Sequence, residues 1–287
     1  MEVSIIYKAL YEYESQARCS HNLLRLRPCS DARQQLIEFG LEIDPPSEVF
    51  TYSDYWGTSV EAFGVHQDHT RLSVVARATV RTDGQPAMVD SPPADALRDG
   101  RFREGHWEFL QPSPLVSWND AIETLSQSVT ESVDEDVIAR VLALHRWVGR
   151  NLSFDETSTR VGTSVEEVLE QGKGVCQDFA HVLVALCRAS GIPARYVSGY
   201  FLPANEHGES SEADFPLKTH AWVEAGIPRS GWWGLDPTHR MEVSARHVVI
   251  GRGRDYADVT PFRGSYSAGG RATQAIEVEM AAAASQQ

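Results

Sequence analysis

Residues 172–191, GKGVCQDFAHVLVALCRASG, carry a strong structural signal in this 287-residue chain. Apolar side chains occupy almost every side of the segment after Cys176, which predicts a helix buried in the core. Gly191 ends this helix, and Pro193 follows shortly after it. Cys176 therefore lies at the start of a buried helix, where unpaired N–H groups and the positive end of the helix dipole favour a thiolate and can hold an oxyanion.

A single cysteine on a buried helix is more often a core residue than a nucleophile. Residues 219–239, THAWVEAGIPRSGWWGLDPTH, change this interpretation because they predict two strands around a turn. If the turn centres on Pro228, His220 and Asp236 face each other across the ladder, with Cβ atoms about 5 Å apart. A carboxylate there can orient an imidazole towards a thiol. Cys176, His220 and Asp236 are therefore the candidate catalytic residues.

The other cysteines and histidines suit catalysis less well. Cys187 lies three helical turns beyond Cys176, about 16 Å away, and is expected to be a core thiol. His181 is turned away from Cys176 on the same helix. The run HQDH at residues 66–69 lies in a hairpin-like stretch. We therefore expect no metal site and no cofactor.

The amino-acid composition indicates a globular protein and argues against nucleic-acid-binding and membrane-spanning proteins. Hydrophobic residues make up 42% of the chain and charged residues 23%, as in ordinary globular proteins. With 26 basic and 40 acidic residues, the net charge of −14 argues against nucleic acid as a partner. No apolar run reaches the roughly 18 residues that span a bilayer. The N-terminus lacks the pattern of a secretory signal. We therefore expect a cytoplasmic protein without a membrane partner.

Two domains are expected. Residues 1–110 contain short alternating segments separated by turn residues, which predicts an antiparallel β-sandwich. Residues 111–287 predict an α+β domain, in which strands follow three helical patterns, over residues 134–152, 164–171 and 176–190. Thr163 is the predicted N-cap of the middle helix, with Glu166 completing a capping box.

The chain resembles the transglutaminase-like superfamily of papain-type cysteine enzymes, and more closely its bacterial branch. The matching segments are GVCQDFAHVLVALCRASGIPARYVSGY (174–200), THAWVEA (219–225), GWWGLDPTH (231–239), GRDYADVTPFRG (253–264), LLRLRP (23–28) and DYWG (54–57). The resemblance implies an N-terminal antiparallel β-sandwich followed by a transglutaminase-like (papain-like) α+β domain. It also implies a Cys-His-Asp triad, which carries over to Cys176, His220 and Asp236.

Candidate substrate-binding residues lie close to this triad in the sequence. Gly174 would let a substrate approach the nucleophile closely, and Gln177 follows the nucleophile directly. Trp222 shares the predicted strand face of His220. The acidic segment 203–218 ends just before His220 and is a candidate lid or selectivity element.

The predicted chemistry starts with attack of the Cys176 thiolate on an amide or thioester carbonyl, giving an acyl-thioester intermediate. Water would resolve it in a peptidase or amidase, which is the favoured function. An amine would resolve it in an acyl transferase that forms an amide bond, either in protein crosslinking or in small-molecule biosynthesis. A non-catalytic binding module is the third alternative. The expected partners are a peptide or small-molecule amide and, for transfer, an amine acceptor; the oligomeric state stays open.

Overall fold

The computed structural model describes residues 1–88, 91–131, 133, 136–203 and 219–282. Its α-helices are α1 (Gly100–Gly105), α2 (Asp120–Glu131), α3 (Val137–Asn151), α4 (Val165–Gln171) and α5 (Cys176–Ala189). Its strands are β1 (Glu2–Leu24), β2 (Gln34–Asp44), β3 (Val49–Ser53), β4 (Ser59–Val65), β5 (His69–Thr82), β6 (Ser153–Phe154), β7 (Lys173–Gly174), β8 (Ala194–Phe201), β9 (His220–Ile227), β10 (Gly231–Asp236), β11 (Met241–Glu242), β12 (His247–Gly253), β13 (Phe262–Ala268) and β14 (Ala272–Ala282). Short 3₁₀ helices cover Ala94–Arg98, Trp107–Leu110 and Tyr256–Asp258.

The first sheet is built around the long strand β1. Its strand order is β2-β5-β1-β4-β3, and β13 and β14 also pair with β1. The N-terminal half of β1 lies between β5 and β14, so that Tyr7 is opposite both Ala76 and Val278. The C-terminal half lies between β4 and β13, with Leu23 opposite Ala62. Because β1 runs through both halves of the sheet, the sheet curls around one shared apolar core.

The α+β class predicted from the sequence is confirmed. The predicted N-terminal sandwich takes the form of one curled antiparallel sheet, because β1 continues through both halves. The predicted boundary between residues 1–110 and 111–287 stays a prediction. The structure adds that β13 and β14, which come from the second range, pair within the first sheet.

The second sheet carries the helices. Its strand order is β11-β10-β9-β8-β12, and its core joins β9 to α3 and α5. Every residue of α5 from Asp178 to Arg188 is buried, which confirms the buried helix predicted from its apolar pattern. Cys187 is fully buried among them, as expected of a core thiol. No helix in the described part of the chain has the length and apolar character needed to cross a membrane.

Backbone and side-chain contacts tie the two sheets together. The Gln34 amide exchanges two hydrogen bonds of 2.8 Å with the backbone of Val249 on β12. The Cys29 N–H also donates to the Val249 carbonyl at 3.1 Å. Tyr200 of β8 and Val248 of β12 complete the core of the first sheet. The two sheets therefore pack as one body, and the second positions the candidate site.

Candidate active site

Cys176 is the first residue of α5 and is half-buried. Asp178, two residues further on, fixes the turn that leads into the helix. Its Oδ2 accepts hydrogen bonds from the Val175 N–H at 2.8 Å and the Thr159 hydroxyl at 2.6 Å. Burial raises the pKa of Asp178 above its usual value, although both hydrogen bonds oppose this shift. The helix start that presents the thiol is thus held by a buried carboxyl group.

Gly174 serves this turn in a way that differs from its predicted role. A Cβ atom at Gly174 would lie 2.6 Å from the Cβ of Asp178, closer than two carbon atoms can approach. Its missing side chain makes room for Asp178, whereas the sequence predicted room for a substrate. Gln177 is half-buried at the second position of α5, and its substrate-binding role stays a prediction.

Trp222 does not line an open surface in this structure, and its predicted substrate-binding role stays a prediction. Its side chain is fully buried and packs with Val197, Val243 and Val249. The predicted strand face is right, because the rings of His220 and Trp222 lie 6.0 Å apart. Val249 of β12 and Val243, which follows β11, cover that face. The hairpin was predicted from residues 219–239 alone, which do not include these two residues.

His220 and Asp236 are brought together as predicted, although their strands pair in a different register. His220 Nε2 lies 2.7 Å from Asp236 Oδ2. Leu235 is opposite Val223, two residues away from the register that a turn centred on Pro228 predicts. His220 and Asp236 are therefore diagonal neighbours, whose Cβ atoms are typically about 7–8 Å apart. Their side chains bridge this distance because they share one face of the sheet.

Asp236 is fully buried and accepts five N–H groups. Its Oδ1 accepts from the backbone of Thr238 and His239, at 3.0 and 3.1 Å. Its Oδ2 lies 2.7, 2.8 and 3.2 Å from ring nitrogens of His220, His239 and His247. Burial alone would raise the pKa of Asp236, but these imidazoles hold it well below its usual value. The carboxylate is therefore ionised throughout the neutral range.

The contacts of His247 determine which of its ring nitrogens carries a proton. The Ser244 N–H donates to His247 Nδ1 at 3.1 Å, so the proton of the neutral ring resides on Nε2. Ligand atoms of His220, Asp236 and His247 lie within 4.8 Å of one another, close enough to be considered as a metal site. A protonated Nε2 has no lone pair for a cation. The cluster is therefore suited to hydrogen bonding with Asp236 and poorly suited to metal coordination.

His220 lies between Asp236 and Cys176. Burial by itself lowers the pKa of His220, but hydrogen bonds with the Asp236 carboxylate and the Cys176 side chain outweigh it and raise the pKa to about 10. Since Nε2 is used by Asp236, Nδ1 is the nitrogen left for the thiol. The structure thus brings the three predicted catalytic residues into one hydrogen-bonded row, with a cationic imidazole at its centre near neutral pH.

Phe201 forms one wall of this cluster. Its ring centroid lies 5.6, 4.3 and 4.6 Å from those of His220, His239 and His247. The predicted lid, residues 203–218, begins two residues after Phe201 in the chain. Its residues 204–218 lie outside those described, so that hypothesis stays a prediction.

Sequence reasoning missed four polar residues of the site. Asp178 carries a local signal, because an acidic side chain at the third position of a helix often binds the N-cap N–H. His239 and His247 carry no such signal for their contacts with Asp236. His145 of α3 donates to the Asp236 carbonyl oxygen at 2.9 Å, and only packing of the helix against the sheet brings them together.

A cysteine at the N-terminus of a buried helix, beside a histidine–aspartate pair on the adjoining sheet, defines a papain-like arrangement. Residues 123–237 match the model of the transglutaminase-like superfamily. Residues 3–81 match the bacterial transglutaminase-like N-terminal region. The chain therefore belongs to the transglutaminase-like superfamily, whose members are typically cysteine enzymes.

Individual proteins are similar to this chain over different lengths. An uncharacterised protein of Mycobacterium leprae is 34% identical over 278 residues, which is 96% of this chain and 97% of that protein. A Pseudomonas aeruginosa protein named protein-glutamine gamma-glutamyltransferase is 34% identical over 102 residues, 31% of this chain and 14% of that protein. A solved structure from Cytophaga hutchinsonii, described as a proposed cysteine protease, has a TM-score of 0.78 and 27% identity, covering 100% of this chain and 92% of that one.

Proposed function

We propose that this protein is a cysteine hydrolase, a peptidase or amidase, in which Cys176 attacks an amide or thioester carbonyl. The single observation that carries the proposal is the hydrogen-bonded row in which His220 has Asp236 on one side and Cys176 on the other. The likeness to the Cytophaga structure, described as a proposed cysteine protease, supports the hydrolytic form.

The chemistry follows from these three side chains. The Cys176 sulfur forms a bond to the carbonyl carbon, and the N–H groups at the start of α5 are suited to the oxyanion that develops. The His220 imidazolium donates its proton to the leaving amine as the C–N bond breaks, which leaves an acyl-thioester. Neutral His220 then takes a proton from water, whose oxygen displaces the sulfur. Asp236 keeps the ring aligned in both steps.

Acyl transfer is the second candidate function. The Pseudomonas relative, named a protein-glutamine gamma-glutamyltransferase, favours it, although the similarity covers 31% of this chain. In this case a primary amine replaces water in the second step, and His220 takes its proton. The product is then a new amide in place of a carboxylic acid.

The first experiment measures how fast each cysteine reacts with iodoacetamide as a function of pH. The folded protein is labelled, and the labelled cysteines are quantified by mass spectrometry. Cys176 should react below neutral pH much faster than the exposed thiol of Cys19, because an adjacent imidazolium stabilises a thiolate. His220→Ala should slow the reaction of Cys176 by roughly tenfold or more. His66→Ala, which removes an exposed imidazole elsewhere, is the matched control.

The second experiment distinguishes hydrolysis from transfer. A peptide library is incubated with and without a primary amine, and the product masses are compared. Addition of water supports the peptidase or amidase, and addition of the amine supports the acyl transferase. If Cys176 reacts no faster than Cys19 and neither product forms, the cysteine chemistry is refuted and the non-catalytic binding module takes its place.

A further inference from the structure

Three arginines line one cavity at the C-terminal end of α5. The cavity has a volume of about 460 Å³ and is partly open to solvent. Arg98 comes from the first 3₁₀ helix, Arg103 from α1 and Arg140 from α3. Ser190 and Gly191, which follow α5, form another part of the lining. The first 3₁₀ helix, α1, α3 and the segment after α5 therefore all contribute to the lining of this cavity.

In the described part of the chain, these arginines lack the carboxylate partners that several other arginines have. Arg25 and Arg27, for example, each bind a carboxylate, at 2.9 and 2.7 Å. Among the described residues, Arg98, Arg103 and Arg140 form no ion pair within 4.0 Å. Within the residues that the structure describes, three guanidinium groups without an ion-pair partner thus surround one cavity, in a chain whose net charge is −14.

Arg140 gives the second observation. Its Nε is buried from solvent and, within the described residues, has no hydrogen-bond partner. A buried, unpaired N–H of a charged group is costly, so such atoms normally have a partner. Asp95 also lines the cavity, and it leaves the lining with a net charge of about two positive units.

Capping of α5 does not account for the arginines. Three carbonyl groups at the end of this helix, those of Leu186, Cys187 and Arg188, already accept hydrogen bonds from the main chain. The Ser190 N–H donates to the Leu186 carbonyl at 3.2 Å, and the Ile192 N–H donates to the Cys187 carbonyl at 2.9 Å. No side-chain hydrogen bond of Arg98, Arg103 or Arg140 to a described residue accounts for their convergence on the cavity.

We propose that this cavity binds the phosphate group of a small phosphorylated ligand. A phosphate monoester carries about two negative charges at neutral pH, which matches the excess charge of the lining. Its oxygens accept the forked N–H pairs of arginine. The volume lies within the range of small-molecule sites. The cavity lies at the opposite end of α5 from Cys176, about 20 Å along the helix, so the proposal is independent of the proposed cysteine chemistry.

The test uses the full chain and isothermal titration calorimetry with inorganic phosphate and with glycerol 3-phosphate, against potassium chloride at equal ionic strength. Both phosphates should bind saturably at millimolar concentration. Arg140→Gln and Arg98→Gln should each weaken binding by about tenfold or more, the loss expected for one hydrogen bond to a charged group. Arg101→Gln, an exposed position on α1 outside the cavity, is the matched control and should bind as the wild type does.

Saturable binding that depends on Arg98 and Arg140 supports the proposal. No saturable binding, an equal response to chloride, or equal weakening by Arg101→Gln overturns it. Arg98 is exposed, so its variant keeps the test decisive even if Arg140→Gln does not fold. Alkylation of Cys176 in the same samples reports on the proposed cysteine chemistry separately.

Discussion

At the scale of single residues, one carboxylate oxygen organises the candidate active site. Oδ2 of Asp236 contacts His220, His239 and His247, and its Oδ1 accepts two backbone N–H groups. A carboxylate offers about four lone-pair positions, so five donors compete for them. His239 is the most exposed of the three imidazoles. The buried contacts of His220 and His247 are therefore the ones that define the orientation of the carboxylate.

His247 is expected to act as a positioning residue for Asp236. His247→Leu removes a donor to a buried carboxylate, so Asp236 should hold His220 less firmly. We expect Cys176 alkylation near neutral pH to slow by roughly tenfold, with a flatter pH profile. His247→Gln keeps an N–H donor and should restore most of the rate. An unchanged rate in a folded Leu variant would contradict this role.

His181 is expected to make stability depend on pH. Burial lowers its pKa to about 4, the Asp255 charge opposes this shift, and Arg188 reinforces it. The neutral ring accepts a hydrogen bond from the Tyr256 N–H at 3.2 Å, which protonation of Nε2 would abolish. The unfolded chain takes up the proton below about pH 6.5 and the folded chain only near pH 4, so stability is lost as the pH falls between these values.

The lowering of the His181 pKa to about 4 corresponds to a loss of stability of roughly 3 kcal/mol across this pH range. Urea unfolding at about pH 7 and about pH 4 should show a smaller loss for His181→Gln than for the wild type. The glutamine oxygen can still accept from Tyr256. Equal losses in the two proteins would show that His181 does not cause the dependence.

At the scale of elements, the start of α5 depends on close packing of Gly174 with Asp178. Gly174→Ala should destabilise the fold by about 1–3 kcal/mol, because the added methyl group displaces the Asp178 side chain. Asp178→Ala leaves the Val175 N–H unpaired and should cost a similar amount. The double variant should lose less than the two single losses together, since the clash no longer exists.

Chemical denaturation of the four proteins measures this coupling. Gly40→Ala is the control, because nothing lies within 4 Å of a Cβ there. Its effect should stay within about 0.5 kcal/mol. Strict additivity of the Gly174 and Asp178 variants would exclude the proposed contact.

The helices α2 and α4 show where local sequence patterns predict a helix and its cap imperfectly. The predicted cap of α4 is wrong by one residue: Ser164 is the N-cap and Glu167 completes the capping box. Thr163 instead exchanges hydrogen bonds with the backbone of Arg160. The helix α2 was not predicted, because its buried face includes Ser126 and Thr130, which interrupt the apolar pattern. The Ser126 hydroxyl donates to the Leu186 carbonyl of α5, which only the folded chain provides, and the Thr130 hydroxyl donates to the Ser126 carbonyl within α2 itself.

At the scale of the whole molecule, the last strand holds the first sheet together. Val278 and Met280 of β14 are 1% and 7% exposed and belong to the core around β1. Deleting residues 271–287 should remove about 1.5–3 kcal/mol for each of these side chains and leave one edge of β1 unpaired. We expect a lower unfolding midpoint or insoluble protein. Deleting residues 283–287 keeps every described strand and is the control; equal behaviour of both truncations would contradict this account.

The buried helix α5 and the cysteine at its start could be predicted from residues 172–191 alone, because apolar periodicity and glycine placement act over neighbouring residues. The sequence also predicted that His220 and Asp236 share a face, since side chains alternate along strands. The strand register, the burial of Trp222 and the contact of His247 with Asp236 could be established only from the folded chain. These features depend on strands that are distant in the chain, and no local pattern encodes which of them lie side by side.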